Sequence, residues 1–248
     1  MESEKGITKY FGVNLAEILS NKILIVYPKF DKKSYIKAVS IQCPKLSYSQ
    51  RIDLHAQLLC QYLPNNYQEA INILKQILGE ENPSETGMFA IYYWIMPIAK
   101  YVEIYGLHDF SVSMQAIAEI TKRNTGEYAV RPFLRKYPEK TIEILSLWAQ
   151  SENFHLRRLA SEGTRPKLPW STKLDIFIDN PEPVFKILSI LKEDNIRFVQ
   201  KSVANNITDY LKVNYQSAKE LLQLWSKSNN KNTQWIIKYS TRKISVKL

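Results

Sequence analysis

The sequence of 248 residues has few side chains that ligate metals or form disulfides. It contains two cysteines, Cys43 and Cys60, and three histidines, none of them in a CxxC or HExxH pattern. We therefore expect no metal site, and we expect the two cysteines to be reduced thiols. The seven glycines form neither a GxGxxG nor a Walker-type loop. This absence argues against a nucleotide cofactor, and we expect no cofactor of any kind.

Long apolar runs are also absent. No stretch is long and apolar enough to span a membrane. Residues 1–12 include acidic side chains and lack the apolar segment of a signal peptide. We therefore expect a cytoplasmic protein without a membrane partner.

Positive charge is in excess. Lys and Arg number 34 against 24 Asp and Glu, which gives a formal charge of +10 and a pI near 9.4. Such a balance favours association with nucleic acid or another anionic surface. A soluble protein from a lysine-rich proteome has a similar composition, so the charge leaves both interpretations open. The length is sufficient to bury one substantial core without disulfides.

Apolar side chains recur with helical periodicity, and strand alternation is nearly absent, which predicts an all-α fold. Turn signals such as Pro64-Asn65-Asn66 separate the segments. The predicted helices cover residues 13–25, 31–42, 48–62, 67–79, 88–105, 109–123, 138–150, 153–165, 182–192, 195–211, 215–228 and 231–246.

The second half of the chain repeats itself. Residues 156–158, 199–201 and 236–238 can be overlaid at offsets of 43 and 37, each on the second helix of a two-helix unit. Periods near forty are typical of HEAT or armadillo-like arrays, in which second helices line one surface. The overlay gives three equivalent polar positions, at Glu162, Asn205 and Arg242. It predicts one polar groove along successive inner helices.

The stretch from Asn153 to Trp170 carries the most specific combination of residues. Arg158, Glu162 and Arg165 are spaced i, i+4 and i+7, so they share one face of a helix that should end near Arg165, where prolines follow. Trp170 then stands on a rigid turn near the carboxylate. An acid, several cations and an aromatic ring suit a polyanion that also carries a cationic group.

A second polar face is predicted on the helix over 195–211. Lys201, Asn205, Asp209 and Lys212 follow an i, i+4, i+8, i+11 spacing. This face supports the groove. The alternative is a solvated face with intrahelical ion pairs, in which Asp209 offsets Lys212, and such faces are common on helices.

Three ordered segments resemble one known family. The segments GEYAVRPFL, RRLASEGTRPKLPW and SVANNITD, within residues 126–246, resemble the AlkC group of the AlkC/AlkD DNA alkylation repair glycosylases. The resemblance implies a right-handed α-solenoid of HEAT-like repeats with a basic concave groove around duplex DNA. We expect a single domain over 1–248, with N-terminal repeats at 1–125 and the motif-bearing repeats at 126–248. A single helical array of this kind is expected to be a monomer. Some members append an immunoglobulin-like domain, which we expect to be absent here.

The resemblance also implies an activity. It is a monofunctional hydrolysis of the N-glycosidic bond of N3-alkylated bases in duplex DNA, in base excision repair and without base flipping. The substrates would be 3-methyladenine and 3-methylcytosine, and the protein would act at the nucleoid. The residues that match the family's catalytic positions are Glu127, Glu162, Trp170 and Asp209. The DNA-binding candidates are Arg157, Arg158, Arg165, Lys167, Lys201 and Arg242. Tyr239 stands where the family more often has histidine, and Lys167 replaces a frequent arginine.

Two other functions fit the same features. A non-catalytic HEAT-repeat module that binds damaged or branched DNA would need the cations and not the acids. A solenoid that binds acidic proteins would show no preference for damaged DNA. In both cases Glu162 would only pair with Arg158, and Trp170 would belong to the core.

Overall fold

The structure is a computed structural model that describes residues 6–87, 89–244 and 246. The described residues form α-helices and short 3-10 helices and no strand, which confirms the all-α prediction. The chain divides into two compact units, Met1–Ala129 (unit 1) and Val130–Leu248 (unit 2). The predicted division was at residues 125 and 126, and the single domain stays a prediction.

Three α-helices of unit 1 begin at residues whose side chains cap them. The side chains of Asp31, Asn66 and Asp109 each accept a hydrogen bond from a backbone N–H in the first turn of the helix that follows. The α-helices are α1 (Val13–Val26), α2 (Lys32–Gln42), α3 (Tyr48–Tyr62), α4 (Tyr67–Gln76), α5 (Phe89–Tyr92), α6 (Met96–Tyr105) and α7 (Phe110–Thr121). The 3-10 helices are Ile7–Phe11, Tyr93–Ile95 and Gly106–His108. Within unit 1, α1 packs on α2, α3 on α6 and α4 on α7.

Unit 2 contains α8 (Arg131–Lys136), α9 (Pro138–Trp148), α10 (Phe154–Glu162), α11 (Asp175–Asp179), α12 (Glu182–Leu191), α13 (Arg197–Val213), α14 (Tyr215–Ser226) and α15 (Lys231–Thr241). The helices pack as the sequence neighbours α9–α10, α12–α13 and α14–α15, and the second members α10, α13 and α15 also pack against one another in that order. This stacking of helix pairs is the arrangement of HEAT-like repeats, and it confirms the predicted HEAT-like helical solenoid fold. The predicted handedness and concave groove stay predictions.

Several predicted helix boundaries were wrong. The segment 88–105 is not one helix, because Pro97 lacks an N–H and lies in the first turn of a separate helix, α6. The short helices α8 and α11 were not predicted. The helix over 153–165 ends at Glu162, and the helix over 231–246 ends at Thr241. Residues 88 and 245 of the predicted helices lie outside the described residues.

Among the helices of the described ranges, none combines the length and the apolar composition that a membrane crossing requires.

Candidate active site

Glu162 lies at the C-terminal end of α10 and is buried, with 6% of its surface exposed. One carboxylate oxygen, Oε1, accepts a hydrogen bond from Nη1 of Arg165 at 2.8 Å and lies 3.5 Å from Nη2 of Arg158. The other oxygen, Oε2, accepts a 2.6 Å hydrogen bond from the hydroxyl of Ser202 on α13. Two cations and one hydroxyl therefore hold this carboxylate in place.

Asp209 is the second buried acid, on α13, with 8% of its surface exposed. Its Oδ2 accepts a 2.7 Å hydrogen bond from Nε of Arg165. One guanidinium thus bridges the carboxylates of Glu162 and Asp209. We call Glu162, Arg165 and Asp209 the acid–arginine–acid cluster. Lys212, which the sequence offered as a partner of Asp209, is exposed.

The cluster forms because α10 and α13 approach closely through small polar residues. The hydroxyl oxygens of Ser161 and Ser202 are 3.1 Å apart. The amide of Asn206 donates to the carbonyl of Ser161 at 2.7 Å and to the hydroxyl of Thr164 at 3.2 Å. These contacts fix the register of α13 against α10, so that Ser202 reaches Glu162.

Arg165 reaches Glu162 from outside the helix. The prediction placed both residues on one helical face, which was wrong in its detail, since α10 ends at Glu162 and Arg165 folds back from the following turn. The hydroxyl of Thr164 bonds to carbonyl oxygens of the last helical turn and so closes the helix before Arg165. The predicted proximity of Arg158, Glu162 and Arg165 is nevertheless present.

The surroundings shift the pKa values of the two acids in opposite directions. Burial raises the pKa of Glu162, but the charges of Arg158 and Arg165 and the hydrogen bonds from Ser202 and Arg165 outweigh it, so the pKa lies below the usual 4.5. Burial also raises the pKa of Asp209, and its bond to Arg165 offsets this only in part, so the pKa lies above the usual 3.8. Glu162 is therefore a fixed anion, and Asp209 is the better proton acceptor.

Arg165 remains the cation of the cluster. Burial lowers the pKa of Arg165, but the hydrogen bonds and charges of Asp209 and Glu162 raise it above its ordinary value. Its single positive charge lies between two carboxylates, so the cluster carries a net negative charge inside a basic protein.

Trp170 lies on the loop between α10 and α11 and is 96% exposed. Its backbone φ of 63° is in the left-handed region, where a residue other than glycine is uncommon. The ring therefore belongs to no core, contrary to the alternative interpretation of the sequence. It stands on a tight turn, as its prolines predicted.

The six predicted DNA-binding cations fall into three groups. Arg158 and Arg165 lie beside the Glu162 carboxylate. Lys167, Lys201 and Arg242 are exposed. Arg157 instead forms a two-point ion pair with Asp194, at 2.6 and 3.3 Å, and donates to the carbonyls of Ser151 and Glu152. Arg157 therefore connects α10 to the loop that precedes α13.

Arg242 belongs to a cation–aromatic column that the sequence did not reveal. Its guanidinium carbon lies 3.7 Å from the centre of the Tyr239 ring, which stacks on Trp235 at 4.7 Å, and the guanidinium carbon of Arg197 lies 3.8 Å from the Trp235 ring. The i, i+4, i+7 spacing of Trp235 and Tyr239 on α15 and of Arg242 directly after it was the available signal. Arg158 similarly lies 5.0 Å from the centre of the Phe198 ring.

Glu127 belongs to unit 1. Its Oε2 accepts a 3.0 Å hydrogen bond from the hydroxyl of Thr125, whose oxygen in turn accepts from the Glu127 backbone N–H at 3.3 Å. Gly126 between them permits a close approach to α7, because a Cβ there would meet atoms of Thr121 and Ile117 at 2.6 and 2.8 Å. The catalytic role of Glu127 stays a prediction.

Metal ligands are not gathered anywhere in the described residues: no group of three or more His, Cys, Asp or Glu side chains is placed to hold an ion. The acid–arginine–acid cluster instead offers fixed negative charge and one proton acceptor.

Comparison with known proteins places these features in a family. Residues 56–244 match the family model described as DNA alkylation repair enzyme. The uncharacterized protein YhaZ of Bacillus subtilis is 33% identical over 237 residues, which cover 95% of this chain and 64% of YhaZ. The structure of the Pseudomonas fluorescens alkylpurine DNA glycosylase AlkC, bound to DNA containing an abasic site analog, is similar over 97% of this chain and 65% of that chain, with a TM-score of 0.85 and 31% identity.

This chain therefore spans somewhat less than two thirds of the length of both relatives. The family model alone matches well over half of the chain, and the structural match extends along nearly all of it. The chain belongs to the DNA alkylation repair enzyme family.

Proposed function

We propose that the chain is a monofunctional DNA glycosylase that hydrolyses the N-glycosidic bond of cationic N3-alkylated bases in duplex DNA, as the first step of base excision repair. Its proposed substrates are 3-methyladenine and 3-methylcytosine. The buried acid–arginine–acid cluster is the observation that carries the proposal. Family membership and the similarity to an alkylpurine DNA glycosylase bound to DNA support it.

The chemistry of the substrate explains why buried carboxylates suit this reaction. Alkylation at N3 makes the base cationic, so the base departs as a neutral molecule with the electron pair of the C1′–N bond. Positive charge then develops on the sugar, which becomes oxocarbenium-like. A fixed negative charge beside C1′ stabilises this transition state more than the ground state.

The two acids divide the work according to their surroundings. Glu162, whose pKa is lowered, stays ionised and stabilises the sugar cation. Asp209, whose pKa is raised, accepts the proton of the attacking water as the water oxygen forms its bond to C1′. Arg165 holds both carboxylates and prevents their mutual repulsion from protonating one of them.

Trp170 supplies an aromatic face. Because its ring projects into solvent from a tight turn, it can stack on a cationic nucleotide that remains in the duplex, without a pocket for a flipped base. A cation over the face of an indole is stabilised by about 0.5–2 kcal/mol. This interaction favours the alkylated, cationic base over its neutral counterpart.

The exposed cations provide affinity without sequence preference. Lys167, Lys201 and Arg242 are proposed to contact phosphates. Arg157 is proposed to support the fold of this region through its pair with Asp194 and not to contact DNA.

A base-release assay on methylated duplex DNA tests the proposal. We expect free 3-methyladenine and 3-methylcytosine, identified by mass spectrometry, with strand cleavage only after alkali. Glu162→Gln should abolish release, and Trp170→Ala should reduce it about tenfold. Glu220→Gln, an equal charge change on the exposed face of α14, is the matched control.

Two outcomes would contradict the proposal. Salt-sensitive DNA binding without base release by the wild-type protein would favour a non-catalytic DNA-binding module. Unchanged base release by both Glu162→Gln and Trp170→Ala would contradict the proposed roles of these residues, although the glycosylase activity itself would stand. Glu127→Gln in the same assay tests the predicted third acid.

A further inference from the structure

Arg131 is among the largest fully buried side chains of the protein, and no motif of the sequence assigned it a role. It is the first residue of α8, and 2% of its surface is exposed. Its guanidinium donates to the main-chain carbonyl of Gly163 at 3.1 Å, to that of Arg165 at 2.9 Å and to that of Thr172. All three acceptors lie in the loop between α10 and α11.

These acceptors lie on both sides of Trp170 in the sequence. Gly163 and Arg165 come before it and Thr172 comes after it, so one buried cation ties together the two ends of the segment that carries the ring. Gly163 approaches α8 so closely that a Cβ there would lie 2.7 Å from Cγ1 of Val130. The loop is therefore docked on the start of α8.

Contacts within the loop complete its shape. The backbone N–H of Leu174 donates to the carbonyl of Pro166 at 3.1 Å, and that of Ser171 donates to the carbonyl of Leu168 at 3.2 Å. Leu168 and Leu174 are buried and anchor the loop at two points. The ring of Trp170 takes no part in this packing, since it is almost wholly exposed.

The backbone of Trp170 needs such support. A left-handed φ in a residue other than glycine is strained and persists only where surrounding contacts enforce it. Because the exposed ring contributes none of these contacts, the main chain on either side must enforce the conformation. Hydrogen bonds from a buried guanidinium are stronger than those between neutral groups and suit this purpose.

We infer that Arg131 is a positioning residue that holds the Trp170 ring in its working orientation by fixing the main chain on both sides of it. Arg131 itself touches neither DNA nor the reacting atoms. The planar fork of its guanidinium reaches three carbonyls at once, which the single ammonium of a lysine does not. The inference rests on the proposed function for its effect on base release, and its effect on the loop is independent of that function.

The test compares Arg131→Lys, which keeps the charge and removes the fork, with Arg135→Lys. Arg135 is exposed and donates only to the carbonyl of Lys173, at 3.3 Å, so it is the matched control in the same helix and loop. Hydrogen exchange over residues 167–174 should become at least tenfold faster in Arg131→Lys, with α12 to α15 unchanged. Arg135→Lys should leave the loop as it is in the wild type.

Kinetics then separate positioning from folding. Under the proposed function, Arg131→Lys should lower kcat about tenfold with KM for methylated DNA unchanged. Added to Trp170→Ala, it should cause no further loss, because it acts through the ring. Additive losses in this double-mutant cycle, unchanged exchange in the loop, or equally faster exchange over α12 to α15 would each overturn the inference. If the wild-type protein releases no base, the proposed function fails, and the exchange measurement still decides whether Arg131 holds the loop.

Discussion

Each of the two units buries an arginine that donates to main-chain carbonyls, but the buried groups around the two arginines differ in charge. In unit 1, Arg51 donates to the carbonyls of Leu46, Thr8 and Pro44. Nearby His55 is fully buried. Its Nδ1 shares a 2.8 Å hydrogen bond with the hydroxyl of Tyr35, and its Nε2 lies 3.3 Å from the carbonyl oxygen of Phe11. Burial lowers the pKa of His55 to about 4, so this region is neutral at physiological pH apart from Arg51.

In unit 2, the buried groups keep their charges. Arg131 holds the loop that follows Glu162, and Glu162, Arg165 and Asp209 form an ionised cluster. Burying carboxylates in this way contributes little or nothing to net stability, because desolvation opposes the attraction between the charges. Arg51 and His55 in unit 1 therefore tie loop carbonyls to the helices, whereas the buried groups in unit 2 keep their charges at the candidate active site.

Among the changes that contrast the two units, the largest expected effect comes from neutralising Asp209, the proposed proton acceptor of unit 2. Asp209→Asn should lower base release about 10²–10⁴-fold, because it removes the general base. In the wild type, release should fall as pH decreases through the raised pKa of Asp209, above 3.8, and this dependence should be absent from the residual activity of the variant. Single-turnover rates between pH 4 and 8 measure both effects, and Asp179→Asn on the exposed end of α11 is the control.

In unit 1, protonation of the buried His55 should affect the stability of the protein and not base release. The pKa of His55 is about 4 in the folded protein and 6.5 when unfolded, so the unfolded chain binds the proton more tightly between these values. Stability should therefore be complete above pH 6.5 and decrease by up to about 3 kcal/mol as pH falls towards 4. Two measurements between pH 4 and 7 check this: the midpoint of urea unfolding, and hydrogen exchange in α2 and α3. A midpoint that is constant across this range would show that His55 is not a neutral buried group.

Two serine substitutions compare what a buried hydroxyl does in each unit. Ser202→Ala removes the hydroxyl that donates to Glu162, which should raise the pKa of Glu162 and lower base release about tenfold. Ser113→Ala in unit 1 removes a hydroxyl that donates to the carbonyl of Gly106 at 2.8 Å and contacts Tyr67 at 2.7 Å. It should lower the free energy of unfolding by about 1–2 kcal/mol and leave base release unchanged. Equal effects of both variants on base release would remove the distinction between the units.

The smallest effects should come from exposed cations. Lys201→Gln and Arg242→Gln should each weaken binding to undamaged duplex DNA a few-fold and lower the salt dependence by about 0.9 in the slope of log K against log salt concentration. Lys186→Gln is the control, because Lys186 is exposed on α12 and pairs only loosely with Glu182, at 3.7 Å. If Lys186→Gln lowers the salt slope as much as Lys201→Gln does, Lys201 contributes only through the overall charge of the protein and not through a phosphate contact of its own.

Local pattern was sufficient to predict most of the helices and part of the cluster. Helical periodicity located α1 to α4 and α12 to α15, and caps and prolines indicated most of their ends. The proximity of Arg158, Glu162 and Arg165 followed from spacing, and it survived the error in the helix end because Arg165 is only three residues from Glu162. The turn at Trp170 followed from the preceding prolines, Pro166 and Pro169, whereas the exposure of its ring did not follow from the sequence.

Contacts between distant segments were not predictable in the same way. Arg165 and Asp209 are separated by 44 residues, Glu162 and Ser202 by 40, and Arg131 and Thr172 by 41. Which side chains meet across such separations depends on how each helix is rotated against its neighbour, and the periodicity of one helix does not determine that. Arg157 shows the same limit, since its pairing with Asp194 depends on the packing of α10 against α13.

The exposure of Trp170 makes this residue a natural optical reporter. Of the five tryptophans, Trp94 and Trp225 are buried and Trp148 and Trp235 are half-buried, whereas the indole of Trp170 is surrounded by water. Its fluorescence should therefore dominate the long-wavelength side of the emission spectrum, where small quenchers act first. A ligand that covers this ring would shift the spectrum to the blue, so occupancy could be followed by light without any attached label.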